Sequence, residues 1–213
     1  MEKLKFIAAH GFLDVWRNRS FTRMILIYSS LCSLILSLGG RVYLNLLHGR
    51  VVEETVPDAG GLVNTRQDLV FILSILEKMV FLLLFVLLGL SFAYLLSLLA
   101  KEFIQQKEEF KIKAYIGTTR SENTGMFWLS YAAPYLIGEI IGLLVSQLIY
   151  FGVIGSANDT LKGYLLLPRY PILWVDLPTI ITLSLLVCLT FLPIQRKMGG
   201  IENEETTFLV GQL

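Results

Sequence analysis

No charged residue stands between Arg23 and Arg41, and few folds accommodate such a run. A helix over residues 22–40 comes close to the ~20 residues that cover a ~30 Å hydrocarbon core at about 1.5 Å per residue. Three further runs of this kind follow. One covers residues 69–100, with Glu77 and Lys78 in its first third and nothing charged from Met79 onward. Another covers 124–152, interrupted only by Glu139. The last covers 177–194; it opens just after Asp176, and Pro178 caps its start. The second and third are longer than a crossing needs, so they tilt or project into water. Only 16% of the residues are charged and 54% are hydrophobic, against about 25% charged in a soluble domain. The expectation is an all-α polytopic membrane protein with four transmembrane helices, read as a single domain over 1–213.

Positive charge predicts the orientation. Of the 18 Lys and Arg residues, five fall in 1–23, five in 101–123 and two in 195–213; only Arg41, Arg50, Arg66, Lys162 and Arg169 lie on the other side. Lys- and Arg-rich segments stay in the cytoplasm, which predicts both termini and the segment 101–123 inside. The two outer loops, 41–68 and 153–176, are too short for confident independent domains. The first twenty residues lack the apolar core and cleavage site of a secretory signal peptide. There Leu4, Ile7, Ala8, Gly11, Phe12, Val15 and Trp16 recur at three- and four-residue spacing. This predicts an amphipathic helix, which either lies in the membrane interface or packs on the rest of the protein.

"QQKEEFKIKAYIGTTRSE", residues 105–122, is the sizeable charged stretch between two spans. Phe103, Lys107, Phe110 and Ala114 share one helical face, flanked by Ile104 and Ile112. The second span is therefore expected to continue as a helix and break at Gly117, where glycine tolerates the left-handed geometry of a helix end. Thr118 or Thr119 can cap the next helix. Such an element presents Lys111, Lys113 and Arg120 to a surface. From these residues alone the plainer reading is favoured: a solvated hairpin whose charges face water.

Gly138, Gly142 and Ser146 form a small-xxx-small stripe that permits close helix contact. Packing within one subunit is the first reading, slightly ahead of a seam between copies. Glu139 sits near the middle of its span, where a charge costs roughly 2.5–3.5 kcal/mol on insertion scales. It is expected to face another helix or a wet cavity, either as a structural protonated group or in a substrate or gating role. Glu77 and Lys78 either snorkel, the plainer choice, or pair. Tyr164, Tyr170 and Trp174 read as an aromatic belt.

Several function classes find no support. Cys32 and Cys188 lie in apolar runs, as small hydrophobes do. His10 and His48 have no second histidine at ligand spacing, so no metal site is expected. A net charge of +1 without a basic patch gives no reason to expect nucleic acid, and no Ser/His pairing suggests catalysis. Without a G-x-x-x-x-G-K-[ST] segment, any ATPase must be a separate polypeptide.

Several of these stretches, taken in order, resemble the FtsX-like permease family, the membrane subunits of MacB-type ABC transporters. "DVWRNRSFTRMILIY" is similar to the family's basic run ahead of the first span. Glu109 and Gly117 match its pattern basic-x-x-Glu-x-x-x-x-x-x-x-Gly-small-small, and "YIGTTR" matches its hydrophobic-Leu-Gly-Ala-Thr/Ser-Arg segment. "LIGEIIGLLVS" places Gly138 and Gly142 where its third span carries glycines. There are departures. Gln106 stands where a basic residue is usual, and Tyr115-Ile116 replaces a Leu-rich pair. No acidic residue lies near Ser130, Pro134 and Glu139 are additions, and the large extracellular domain between the first two spans is missing.

The resemblance implies a permease subunit in a bacterial cytoplasmic membrane, not itself an enzyme. It implies that 101–123 is a coupling element docking on an ATP-binding cassette subunit, with Glu109, Lys113, Gly117, Thr118 and Arg120 forming or positioning the docking surface. A second permease, identical or related, and membrane lipid are the other implied partners. This chain would hold no cofactor, with ATP and Mg in the partner subunit. The expected activity is export or extraction of an amphiphilic peptide or lipid-like molecule; the alternative is an ATPase-coupled signalling subunit that moves no substrate. The Glu108-Glu109 pair also resembles that of CAAX-type intramembrane proteases, but the Arg and His such a site needs are lacking, so that reading is rejected.

Overall fold

A computed structural model describes residues 15–55, 63–156 and 172–210, without the side chains of 63–66, 172–173 and 200–210. The expected amphipathic stripe of residues 4–12, Tyr164 and Tyr170 lie outside the described residues. Those described form helices and the turns between them, with no strand among them. The order is α1 (Arg19–Thr55), α2 (Val63–Gln105), α3 (Lys107–Tyr115), α4 (Arg120–Ser156) and α5 (Leu177–Val210), with a π-helical turn, Ile172–Asp176, just before α5. Four segments are long and apolar enough to cross a membrane: Arg19–Thr55, Gln67–Gln105, Arg120–Ser156 and Trp174–Gly199. The chain is an all-α membrane protein with four spanning helices.

The helices outrun the apolar runs that announced them. α1 continues through Arg41 to Thr55, and α2 starts at Val63, leaving residues 56–62 between them. Much of the expected first outer loop is thus helical, and the connection is far too short to house a globular domain.

Contacts divide the chain into two units. One comprises the chain up to Ser30, Phe92–Glu139 and Leu183 onward; the other comprises Leu31–Ser91 and Ile140–Thr182. The first has an aromatic centre. Phe127 of α4 meets Phe103 of α2 at 6.0 Å and Phe110 of α3 at 5.5 Å, both edge-on, and Phe103 lies 5.6 Å from Phe110. One helix turn on, Tyr131 shares a 2.5 Å hydrogen bond with Thr190 of α5. The Trp128 indole N–H donates to the Val187 carbonyl. Gly138 closes this unit against α1: a Cβ there would overlap the Leu26 carbonyl oxygen and the Ser29 hydroxyl. Its role in this structure is close approach of two helices within one subunit.

The second unit is organised by a buried polar network. On α1, Ser33, Ser37 and Arg41 recur at four-residue spacing, and all are buried. Arg41, 2% exposed, donates through Nη2 to both oxygens of Asp176, at 2.9 and 2.8 Å. Ser37 donates to Asp176 Oδ1 at 2.7 Å, and Ser146 of α4 donates to Ser37 at 2.9 Å. The Arg41 guanidinium also stands over the Tyr150 ring, 5.0 Å from its centroid. Glu77, for which snorkelling was the plainer expectation, instead pairs with Arg50 at 2.8 Å. Gly39 and Gly40 admit the side chains of Leu84 and Val175, which a Cβ would strike.

Candidate functional site

The charged segment between α2 and α4 is built as a braced projection. At Gln106 the backbone takes φ −95° and ψ 3°, the sparsely used region between helix and strand. Two hydrogen bonds meet at the break: the Gln106 N–H donates to the Glu102 carbonyl, and the Phe110 N–H to the Gln106 carbonyl. α3 therefore follows α2 with Gln106 hydrogen-bonded to both, a break that the sequence did not announce. Phe110 is the buried residue of α3, and its ring sits on Phe103 and Phe127. Phe110→Ala is expected to free α3. Trypsin should then cleave after Lys107, Lys111 or Lys113 several-fold faster than in the parent chain, with cleavage after Arg196 unchanged.

α3 ends as expected at Gly117, whose φ is +99°. The Gly117 N–H donates to the Ala114 carbonyl and the Thr118 N–H to the Lys113 carbonyl, the two crossed bonds of a Schellman motif. The Thr118 hydroxyl has the Lys113 carbonyl at 2.5 Å and the Asn123 side-chain oxygen at 3.1 Å as acceptors. Thr119 then caps α4: its N–H donates to Glu122 Oε2 at 2.9 Å, one half of a capping box.

The five residues singled out from the sequence do not form one cluster. Glu109 and Lys113 meet at 2.9 Å. Glu109 also receives two hydrogen bonds from Arg17 Nη2, at 2.5 and 2.6 Å, and Asn18 hydrogen-bonds Glu102. Together these tie the chain just ahead of α1 to α2 and α3. Arg120 reaches the other way, donating through Nε and Nη2 to the Gln195 carbonyl of α5, and it occupies the space that a side chain at Gly199 would need. Gly117 and Thr118 belong to the turn. On α4, Gly138, Gly142, Ser146 and Glu139 are all buried.

Partial burial raises the Glu109 pKa, but the hydrogen bonds and charges of Arg17 and Lys113 outweigh it and hold the carboxyl below the usual range. A lowered folded-state pKa means stabilisation that is present above the unfolded value and lost as pH falls through the folded one. Glu109→Gln should therefore melt below the parent chain in detergent at pH 7. The two melting temperatures should converge as pH drops below about 4, where the parent carboxylate also protonates.

The apolar residues here carry a signal that attention to charge passed over. Ile112, Tyr115 and Ile116 are 59%, 70% and 79% exposed. They sit in and just after α3, beyond the apolar windows of the spans. Three large apolar side chains this exposed on a short charged helix, already anchored through Phe110, make a contiguous patch of the kind that marks an interaction surface. The departure Tyr115-Ile116 from the expected Leu-rich pair was the available clue: the residues differ, but the apolar character is kept.

A family model described as the FtsX-like permease C-terminal matches residues 79–198. No curated protein and no solved structure matches the chain.

Proposed function

Because the chain belongs to the FtsX-like permease family, we propose that it is the membrane subunit of an ABC transporter. In this reading α3 and the turn after it dock on a separate ATP-binding subunit that holds ATP and Mg. The observation that carries it is the exposed Ile112–Tyr115–Ile116 patch on a helix anchored to two spans by Phe110 and to the chain ahead of α1 by Arg17–Glu109. Ile112, Tyr115 and Ile116 form the contact, while Glu109, Lys113, Gly117, Thr118 and Arg120 hold it in place.

The membrane is read as a bacterial cytoplasmic one, as the family resemblance implies, and the distribution of Lys and Arg supports an orientation with both termini and this patch inside. Two ATP-binding subunits closing on each other would push on α3, and its bracing would pass the motion to α1, α2 and α4 as a rigid displacement. A second permease, identical or related, completes the complex. The substrate is an amphiphilic peptide or lipid-like molecule moved from the membrane. The test is co-purification from membranes with an ATP-binding subunit, followed by ATPase assays in vesicles. Retained ATPase and substrate-stimulated turnover support the transporter. ATPase that responds only to an added extracellular protein supports a signalling subunit, and no associated ATPase contradicts both.

A further inference from the structure

In the first unit α5 is held to α4 at two levels. Within the span, Trp128 meets Phe191 edge-on at 6.1 Å and donates to the Val187 carbonyl, and Tyr131 shares its hydrogen bond with Thr190. Further along α5, Ile194 and Met198 are buried, and Arg120 donates to the Gln195 carbonyl. Pro193 stands between the two levels, inside the helix. A proline has no N–H to give the carbonyl four residues back, and its ring crowds that carbonyl. The hydrogen-bond ladder of α5 therefore lacks the rung from residue 193 to Leu189, just ahead of the exposed Arg196 and Lys197.

Arg120 bridges that weak point from outside. It is the first residue of α4 and directly follows Thr119, which caps that helix, so its backbone belongs to the turn after α3. Its guanidinium sends both Nε and Nη2 to one carbonyl on the far side of the proline. In a regular helix the Gln195 carbonyl points toward the N–H of residue 199, so a donor from outside must approach across residue 199. There the chain has glycine. A Cβ built on Gly199 would strike Cζ, Nη1 and Nη2 of Arg120, and even alanine would close the approach. A long planar cation thus finds, 75 residues along the chain, a position shaped to admit it.

We infer that Arg120 seated on Gly199 is a joint that makes the end of α5 move with the turn after α3. The stiffness that α5 lacks at Pro193 is supplied from α4. A push on α3 then displaces the end of α5 together with α4; without the joint, that end lags behind. Arg120 is in this sense a positioning residue that acts on α5 through the Gln195 carbonyl. The joint stands on the geometry alone, whereas its part in passing on ATP-driven motion rests on the permease reading.

The test is a spin-label distance across the joint in the full chain, with Cys32 and Cys188 replaced by Ala and Ser. Ser121→Cys and Lys197→Cys, both at exposed positions, carry the nitroxides in lipid vesicles. Without nucleotide the distance distribution should be narrow. Gly199→Leu, which evicts the guanidinium, should at least double its width. Arg120→Ala should do the same without adding bulk to α5. Gly155→Leu, at a site on α4 where a Cβ meets nothing, should leave the width unchanged. In the complex with the ATP-binding subunit, ATP should leave the mean distance of the parent where it was, because both labels travel together. In Gly199→Leu, with the subunit co-purifying at parental yield, ATP should shift that mean. A distribution that neither Gly199→Leu nor Arg120→Ala broadens overturns the joint. A parent mean that moves with ATP, or a Gly199→Leu mean that does not, overturns its part in transmission. A chain that brings down no ATP-binding subunit contradicts the permease reading instead, and the nucleotide-free comparison still decides the joint.

Discussion

Arg41→Met is expected to remove most of the chain from the folded pool: little should survive detergent extraction as a single sharp species, and what survives should melt far below the parent. Arg41 and Asp176 are both buried, and the guanidinium serves both carboxylate oxygens. Removing one member of a buried pair leaves an uncompensated charge, at a cost of about 3–5 kcal/mol. Against a total stability of roughly 5–15 kcal/mol that loss is large. The double variant Arg41→Met/Asp176→Leu removes both charges together and should recover much of the extraction yield, because apolar replacements of a buried pair are often tolerated. Ser37 donates to the same carboxylate, so its hydroxyl turns to the Ser146 side in the double variant. Equal losses in the single and double variants would mean that Arg41 acts through something other than Asp176.

The same pair shows where reading the sequence stops. The four spans were legible because an uncharged run of that length has few other fates. The end of α1 was not. Arg41 interrupts an apolar run and so looks like the start of a loop, but it stays in the helix because Asp176, 135 residues away, neutralises it. No local pattern announces a partner so distant. The Gly138 stripe was legible from its spacing, and its immediate partner, Ser29 against Gly138, sits on a serine repeat at the same spacing on α1. That repeat went unread because buried serine is an ambiguous signal in an apolar run.

In the segment 101–123 the break at Gly117 was legible, since its φ of +99° suits glycine and few other residues. The break at Gln106 was not, because glutamine carries no turn preference there. The charges drew attention to the segment, but in the fold Glu109, Lys113 and Arg120 are engaged by Arg17, by each other and by the Gln195 carbonyl. The apolar residues between them, Ile112, Tyr115 and Ile116, are the ones left exposed.

Tyr115→Asp combined with Ile116→Asp should weaken association with the ATP-binding subunit by at least about a hundredfold while leaving the permease folded. Fully burying one large apolar side chain is worth about 1.5–3 kcal/mol, and centrally placed aromatic residues often dominate an interface. Losing both therefore exceeds the roughly 2.7 kcal/mol that a hundredfold represents, before the cost of desolvating two carboxylates. Both side chains point away from the rest of the chain, being among its most exposed large apolar residues, so the melting temperature of the variant should stay close to that of the parent. The charge-neutral pair Tyr115→Ala/Ile116→Ala should show a smaller but measurable loss. A double aspartate variant that still co-purifies with the ATPase at parental yield places the interface elsewhere.

The end of α3 is expected to touch an ATP-binding subunit inside the cell. Tyr115→Cys in a chain whose Cys32 and Cys188 are replaced by Ala and Ser, labelled in intact membranes with a short maleimide–diazirine reagent and irradiated, answers this directly. The predicted result is a crosslinked band containing an ATP-binding subunit, absent when Tyr115 is left in place and altered in yield by ATP. A Cys at 115 that stays uncrosslinked, or that an impermeant maleimide modifies from outside the cell, would contradict it.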